Sequence, residues 1–262
     1  MRGVVWKLIS NPRKNFPLFM QERFRKSCRI FQDKSFFLQG QMDIHPKAHW
    51  PTPIVGITGG FFPRGDRASR RICNLEAHDN TRRDMLILLL RTLLERNVPG
   101  AFAELGVYKG STARLLHHYA PERTLHLFDT FEGFTERSAA GELRDLGHTT
   151  KLFSDTSLEQ VRRFIGASTT VQFHRGFFPE SVPAALSSET FAFVHLDADL
   201  YEPTLNGLRF FYPRMPRSGI LVVHDYNAWP GARRAVDEFF ADKPELPLPM
   251  PDKSGSAVIV KQ

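Results

Sequence analysis

The sequence predicts an open, doubly wound α/β sheet with mostly parallel strands and an antiparallel strand at its edge. Three observations carry that reading. From residue 101 onward short apolar runs alternate with stretches of helical spacing. The first run ends in a glycine-spaced turn, Glu104-Leu105-Gly106-Val107-Tyr108-Lys109-Gly110-Ser111. Later runs end in carboxylates at Asp129, Asp197 and Asp225. In such sheets ligands bind beyond the carboxyl ends of the strands, so these residues mark a pocket.

Taken in order, residues 78–97 have helical periodicity, and Asn97-Val98-Pro99-Gly100 closes the helix. The run Met85-Leu86-Ile87-Leu88-Leu89-Leu90 lies inside it and is broken by Arg91, well short of the roughly 18 apolar residues of a membrane span. It reads as a buried helix. Strands are expected at 101–105, 124–129, 170–175, 191–197, 219–225 and 256–260, with helices near 111–119, 157–165, 201–212 and 231–241. Residues 246–261 have room for two strands with no helix between them, hence an antiparallel pair at the edge. Asp155-Thr156-Ser157 before Leu158 reads as a helix N-cap.

The 262 residues suit one domain, residues 76–262, behind a basic, aromatic extension, residues 1–75. Net charge is +7, but residues 1–40 hold nine Lys or Arg against Glu22 and Asp33, so the remainder is near neutral. A basic arm can steer anionic partners or be a solvated flap. Phe16, Phe19, Phe24 and Phe31 within it argue for packing on the body or on a second copy, which keeps a homo-oligomer among the expectations. Cys28 and Cys73 lie far apart and lack any C-x-x-C spacing, so neither a disulfide framework nor a zinc site is suggested, which fits a reducing compartment. No secretory leader or membrane span is expected, and the cytoplasm is the default.

The turn itself selects among ligands. Gly106 and Gly110 allow close approach of backbone to ligand, and Glu104 suits an ammonium or hydroxyls. A dinucleotide fingerprint has a third glycine and no preceding acid, so a cationic ligand such as S-adenosylmethionine is favoured over a nicotinamide cofactor. Asp129 follows Gly106 by 23 residues, where a carboxylate can accept from ribose hydroxyls, with Thr130 beside it. Capping of the next turn is the plainer role for Asp129. Val194-His195-Leu196-Asp197-Ala198-Asp199 and Leu221-Val222-Val223-His224-Asp225 both end apolar strands in acids, so Asp197, His224 and Asp225 can converge on a divalent cation or on each other. Phe177 and Phe178, after the third strand, suit either an adenine face or the core.

Five segments in order resemble the macrocin O-methyltransferase (TylF-type) family: residues 104–111, Asp129-Thr-Phe-Glu-Gly-Phe134, Asp155-Thr-Ser-Leu-Glu-Gln-Val161, residues 195–204 and Asp225-Tyr226. The resemblance runs from about residue 80 to 260. It implies a Rossmann-like class I methyltransferase fold, S-adenosylmethionine as methyl donor, often Mg2+, and methylation of a hydroxyl on a glycosylated metabolite or nucleotide sugar. Carried over by position, Glu104 and Gly106 would hold the methionine end of the cofactor, Asp129 its ribose, and Asp197 with Asp225 the metal; Gly110, Ser111, Thr130 and Asp155, in the same segments, complete the expected cofactor residues, and the strand-end reading adds His224 as a third metal residue. Catalysis falls to Asp197, His224 and His148.

Two departures stand out. Members that bind Mg2+ often have two acids before the tyrosine, whereas this chain has His224-Asp225. Mg2+ prefers oxygen, so His224 is alternatively a general base in a metal-free reaction. The lysine that related catechol and caffeoyl-CoA enzymes place three residues after the first metal aspartate is here Leu200, which brings His148 forward as a candidate base. Nucleic acid is not an expected acceptor, since no N-P-P-Y tetrad is present. A non-catalytic protein that retains the fold is the remaining alternative.

Overall fold

The computed structural model describes residues 79–134, 142–145, 147, 149 and 151–262. The expectations for residues 1–75, including the basic arm, both cysteines and the aromatic cluster, lie outside them, as does His148. Chain order is α1 (Asn80–Glu95), β1 (Ala101–Leu105), α2 (Ser111–Tyr119), β2 (Leu125–Asp129), α3 (Glu142–Asp145), α4 (Leu158–Ile165) and β3 (Val171–Arg175). Then come β4 (Phe191–Leu196), α5 (Tyr201–Phe211), β5 (Ile220–Val223), α6 (Pro230–Phe240), β6 (Leu248–Pro249) and β7 (Ala257–Val260). Short 3-10 turns cover Ala184–Ser188 and Tyr212–Arg214.

The sheet runs β3-β2-β1-β4-β5-β7-β6. Strands β1 to β5 pair in parallel, while β7 pairs antiparallel with both β5 and β6. The expected antiparallel pair is present; β7, the longer strand, is inserted beside β5, and two-residue β6 takes the outer edge. Strand order reverses between β1 and β4, and that reversal opens a crevice at their carboxyl ends.

Both faces of the sheet are covered, as continuous apolar strands require. Side chains alternate between two cores: in β5, Ile220 and Val222 join Leu86, Leu90, Leu116 and Ile165 on one side. Leu221 and Val223 join Leu208, Phe211, Val236 and Phe240 on the other. The Met85–Leu90 run is accordingly a helix whose Leu86, Ile87 and Leu90 are fully buried. Among the described residues no helix is long and apolar enough to cross a membrane.

Helix ends are set locally. The Asp79 side chain accepts from Arg82 N (3.1 Å) at the start of α1, and Asp79 Oδ2 accepts from Lys253 N (2.8 Å) just before β7. Ser157 caps α4 and Gly166 ends it in the left-handed conformation.

Candidate active site

A cleft of about 540 Å³, within the usual range for small-molecule sites, opens where β1 and β4 diverge. The turn after β1 forms one wall. Gly106 has φ +86°, and a Cβ there would lie 1.9 Å from the Asp197 carbonyl oxygen, so only glycine lets the turn pass the end of β4. Tyr108, Phe153, Asp199 and Asp225 line the cleft and also adopt positive φ, an unfavourable conformation for residues with side chains. Such backbone strain collects where ligands are held.

Of the residues expected from sequence, Glu104, Gly106, Gly110, Ser111, Asp129, Thr130, Asp197, His224 and Asp225 all line this cleft. Asp155 does not: it receives the Tyr108 hydroxyl (2.6 Å) and Lys109 Nζ (2.5 Å) and thereby braces the turn from outside. Phe177 and Phe178 both line the cleft, and Phe178 is in addition buried against Phe128 and Phe211, so it serves the core as well.

Glu104 lies opposite His195 across the β1–β4 ladder, and the two side chains meet at 3.1 Å in the interior. Burial first, and the Asp197 charge second, raise the Glu104 carboxyl well above its ordinary range. Burial lowers His195 to about 3. The contact is therefore a neutral hydrogen bond. Glu104 Oε2 is buried with no protein partner, an unsatisfied acceptor on the cleft wall. Asp129 accepts from Val107 N (2.6 Å), Tyr108 N (2.9 Å) and Phe131 N (2.6 Å), so most of its acceptor capacity fastens the glycine turn to β2. The turn-capping role considered for it is thus present alongside its place in the cleft.

At the far wall, Asp197, His224 and Asp225 come together with ligand atoms within 4.8 Å of one another. His224 Nδ1 lies 2.8 Å from Asp197 Oδ1 and 2.7 Å from Asp225 Oδ2. Its Nε2 lies 2.6 Å from Arg82 Nη1. Burial opposes charge on the imidazole, but the two carboxylates outweigh it and push His224 up to about 10. Arg82 imposes the opposite requirement, because a guanidinium only donates and Nε2 must offer its lone pair. The Arg82 contact therefore requires the neutral tautomer protonated at Nδ1, against the pull of the two carboxylates toward the imidazolium. Asp197 stays ionised, burial being outweighed by the hydrogen bond from His224 Nδ1 and by the nearby Arg82 charge.

This donor set does not fit Mg2+. Two carboxylates with water could serve Mg2+, but the space between them is taken by the His224 imidazole, and Mg2+ prefers oxygen to nitrogen. The Nδ1 proton sits between both carboxylates and would have to leave.

Two cleft residues escaped the sequence reading. Asp199 is buried, and burial followed by the Asp197 and Asp225 charges raises its carboxyl well above the ordinary range, so it stays protonated beside Asp225. Its signal was present in the pair of acids two apart after β4, of which only Asp197 was given a role. Arg82 had no signal, being one of two adjacent arginines at a helix start.

A family model described as macrocin-O-methyltransferase (TylF) matches residues 78–261. Demethyldecarbamoylnovobiocin O-methyltransferase of Streptomyces niveus is 32% identical over 57% of this chain and 61% of its own length. The 8-demethyl-8-(2,3-dimethoxy-alpha-L-rhamnosyl)-tetracenomycin-C 4'-O-methyltransferase of Streptomyces olivaceus is 33% identical over 60% and 64%. The matches span about three fifths of these relatives. Among solved structures, the O-methyltransferase NovP superposes with a TM-score of 0.60 at 28% identity, over 67% of this chain and 77% of that one. The calicheamicin methyltransferase CalS11 shares the fold, with a TM-score of 0.53 at 21% identity over 80% and 89%.

Proposed function

Starting from the fact that this chain belongs to the macrocin-O-methyltransferase (TylF) family, we propose that it transfers a methyl group from S-adenosylmethionine to a hydroxyl of a sugar or sugar-bearing metabolite. The observation that carries the reading is the cleft at the sheet's switch point, where an unsatisfied buried carboxyl faces a histidine held by two carboxylates.

Glu104 Oε2 would take the ammonium of the cofactor, with Gly106 and Gly110 admitting its backbone, and Asp129 with its remaining acceptor site would take a ribose hydroxyl. When bound, S-adenosylmethionine supplies a methyl group on a sulfonium, an electrophile that needs no further activation. The chain's task is to orient the acceptor and remove one proton. His224 Nε2 accepts the proton of the attacking hydroxyl. Asp197 and Asp225 hold Nδ1–H, fix the tautomer, and stabilise the imidazolium that results, the same division of labour as in an Asp-His-nucleophile triad. Phe134 and Phe153, 5.4 Å apart edge to face, with Tyr108 against Phe153, form an aromatic wall near Leu200 that suits the apolar faces of a glycosylated acceptor. The relative named for a rhamnosyl-bearing tetracenomycin supports that class of acceptor; a nucleotide sugar is the other member of it.

The metal-assisted form of this reaction would draw on Asp197, His224 and Asp225. Their mutual hydrogen bonds favour the metal-free form. Incubation with methyl-labelled donor and a panel of glycosylated metabolites and nucleotide sugars should label at least one acceptor. His224→Ala should lower kcat about 10²- to 10⁴-fold, the usual share of a general base. A panel that stays unlabelled, while the cofactor product still binds, would turn the reading toward a binding protein.

A further inference from the structure

We propose that the Arg82 guanidinium, paired with His224, occupies the role of a divalent cation in this chain, so that the reaction centre excludes metal rather than merely doing without it. The inference rests on the methyl-transfer reading of the cleft.

Arg82 reaches the cleft from the first turn of α1 and meets His224 Nε2 at 2.6 Å, on the opposite side of the ring from Asp197 and Asp225. Its backbone is fixed at the Asp79 cap, and Asp79 is tied in turn to Lys253 N before β7. The cation is thus presented by a helix start anchored to the sheet edge. Nδ1, which carries the ring proton, lies 2.8 Å from one carboxylate and 2.7 Å from the other, in the gap that a dication shared by Asp197 and Asp225 would need. A dication entering there must displace that proton and also bring two further positive charges beside a guanidinium that never deprotonates.

An acceptor hydroxyl arriving at Nε2 replaces the Arg82 contact and leaves the guanidinium beside the reacting oxygen. As the C–O bond forms, the hydroxyl proton passes to Nε2 and the methyl–sulfur bond breaks with its electron pair on sulfur. Arg82 donates to the oxygen while its negative charge is greatest, which is the electrostatic service that a bound metal would give.

The full chain would be titrated with Mn2+, followed by electron paramagnetic resonance of the free ion, and in parallel with S-adenosylhomocysteine by calorimetry. Wild type should leave the Mn2+ signal at its buffer value into the millimolar range, and its turnover should be unchanged by EDTA. The double variant Arg82→Ala/His224→Asp should take up one Mn2+ at least tenfold more tightly than wild type, while Arg82→Lys should keep Mn2+ out. One equivalent of Mn2+ bound by wild type and lost in Asp197→Asn would overturn the proposal. So would a folded double variant that binds Mn2+ no better than wild type. If that variant fails to fold, the wild-type titration with its Asp197→Asn control decides alone. Absence of S-adenosylhomocysteine binding would sink the cofactor reading separately, whatever the Mn2+ result.

Discussion

Glu104 carries a proton that the cofactor would have to expel. Its carboxyl is raised by burial and by Asp197, so at neutral pH the free protein holds it as an acid, while an ammonium at Oε2 favours the carboxylate. The bound form then holds fewer protons than the free form, and affinity should rise with pH until the raised Glu104 titrates. Calorimetry of S-adenosylhomocysteine in phosphate and in Tris should give different apparent heats. Glu104→Gln should remove that difference and weaken binding about ten- to a hundredfold, the worth of a hydrogen bond to a charged group. Equal heats in wild type would show that Glu104 keeps its proton. At this scale the strand-end residues were legible: Glu104, Asp129, Asp197, His224 and Asp225 each follow an apolar run, where a buried strand does not tolerate charge. Arg82 was not, because nothing local distinguishes it from Arg83, whose guanidinium instead lies buried against Asp84. Asp155 was legible as part of a motif and not as a contact, since its partners Tyr108 and Lys109 lie 46 to 47 residues away.

Elements differ in how they use glycine, and two positions make the contrast testable. Gly106 ends β1 at φ +86°, and an added Cβ would run into the Asp197 backbone at 1.9 Å. No rotamer change relieves that clash, so Gly106→Ala should cost more than the roughly 1–3 kcal/mol of ordinary overpacking and abolish cofactor binding in any folded fraction. Gly207 lies within α5, where a Cβ would meet the flexible ends of Leu105 at 2.9 Å and Leu196 at 3.0 Å. Here alanine also gains about 1 kcal/mol of helix propensity, which offsets the repacking. Thermal unfolding should place Gly207→Ala within about 4 °C of wild type; a Gly106→Ala midpoint equally close would mean that the turn can shift from β4. The strands and long helices were readable from period and length. Helix α3, at four residues, carries too little period to be seen, and two-residue β6 was legible only as room for a second strand before β7. The place of β7 beside β5 depends on pairing across the sheet, which no local pattern encodes.

Across the whole molecule, buried groups of opposite kind set the response to acid. His174, lowered to about 4 by burial and by His126, and His195, lowered to about 3 by burial, stay neutral when folded and take up protons below about 6.5 when unfolded. Their contribution to stability is present above 6.5 and is lost as pH falls, at up to about 1.4 kcal/mol per pH unit for each group. Glu104 and Asp199 act in the opposite sense. Folded, they keep protons that the unfolded chain has released, so their contribution grows as pH falls and is complete below about 4. Glu245 is buried, which alone would raise it, but the Tyr212 hydroxyl, Gln262 N and Lys261 hold it at about 2. Its contribution is present above the ordinary carboxylate value and disappears toward pH 2. His126 and His117, also lowered by burial, act in the same sense as His174 and His195, so between about pH 6.5 and 4.5 the two protonated acids offset only part of the loss and urea unfolding midpoints should fall gently. Below 4.5 the acids add nothing further while His195 and Glu245 are still losing, and the midpoint should fall steeply. Glu245→Gln should lower stability at pH 7 and flatten that fall. A midpoint that falls as steeply from pH 6.5 as it does below 4.5 would mean that Glu104 and Asp199 are ionised in the folded protein, and with it that the cleft holds more negative charge than Arg82 alone can balance.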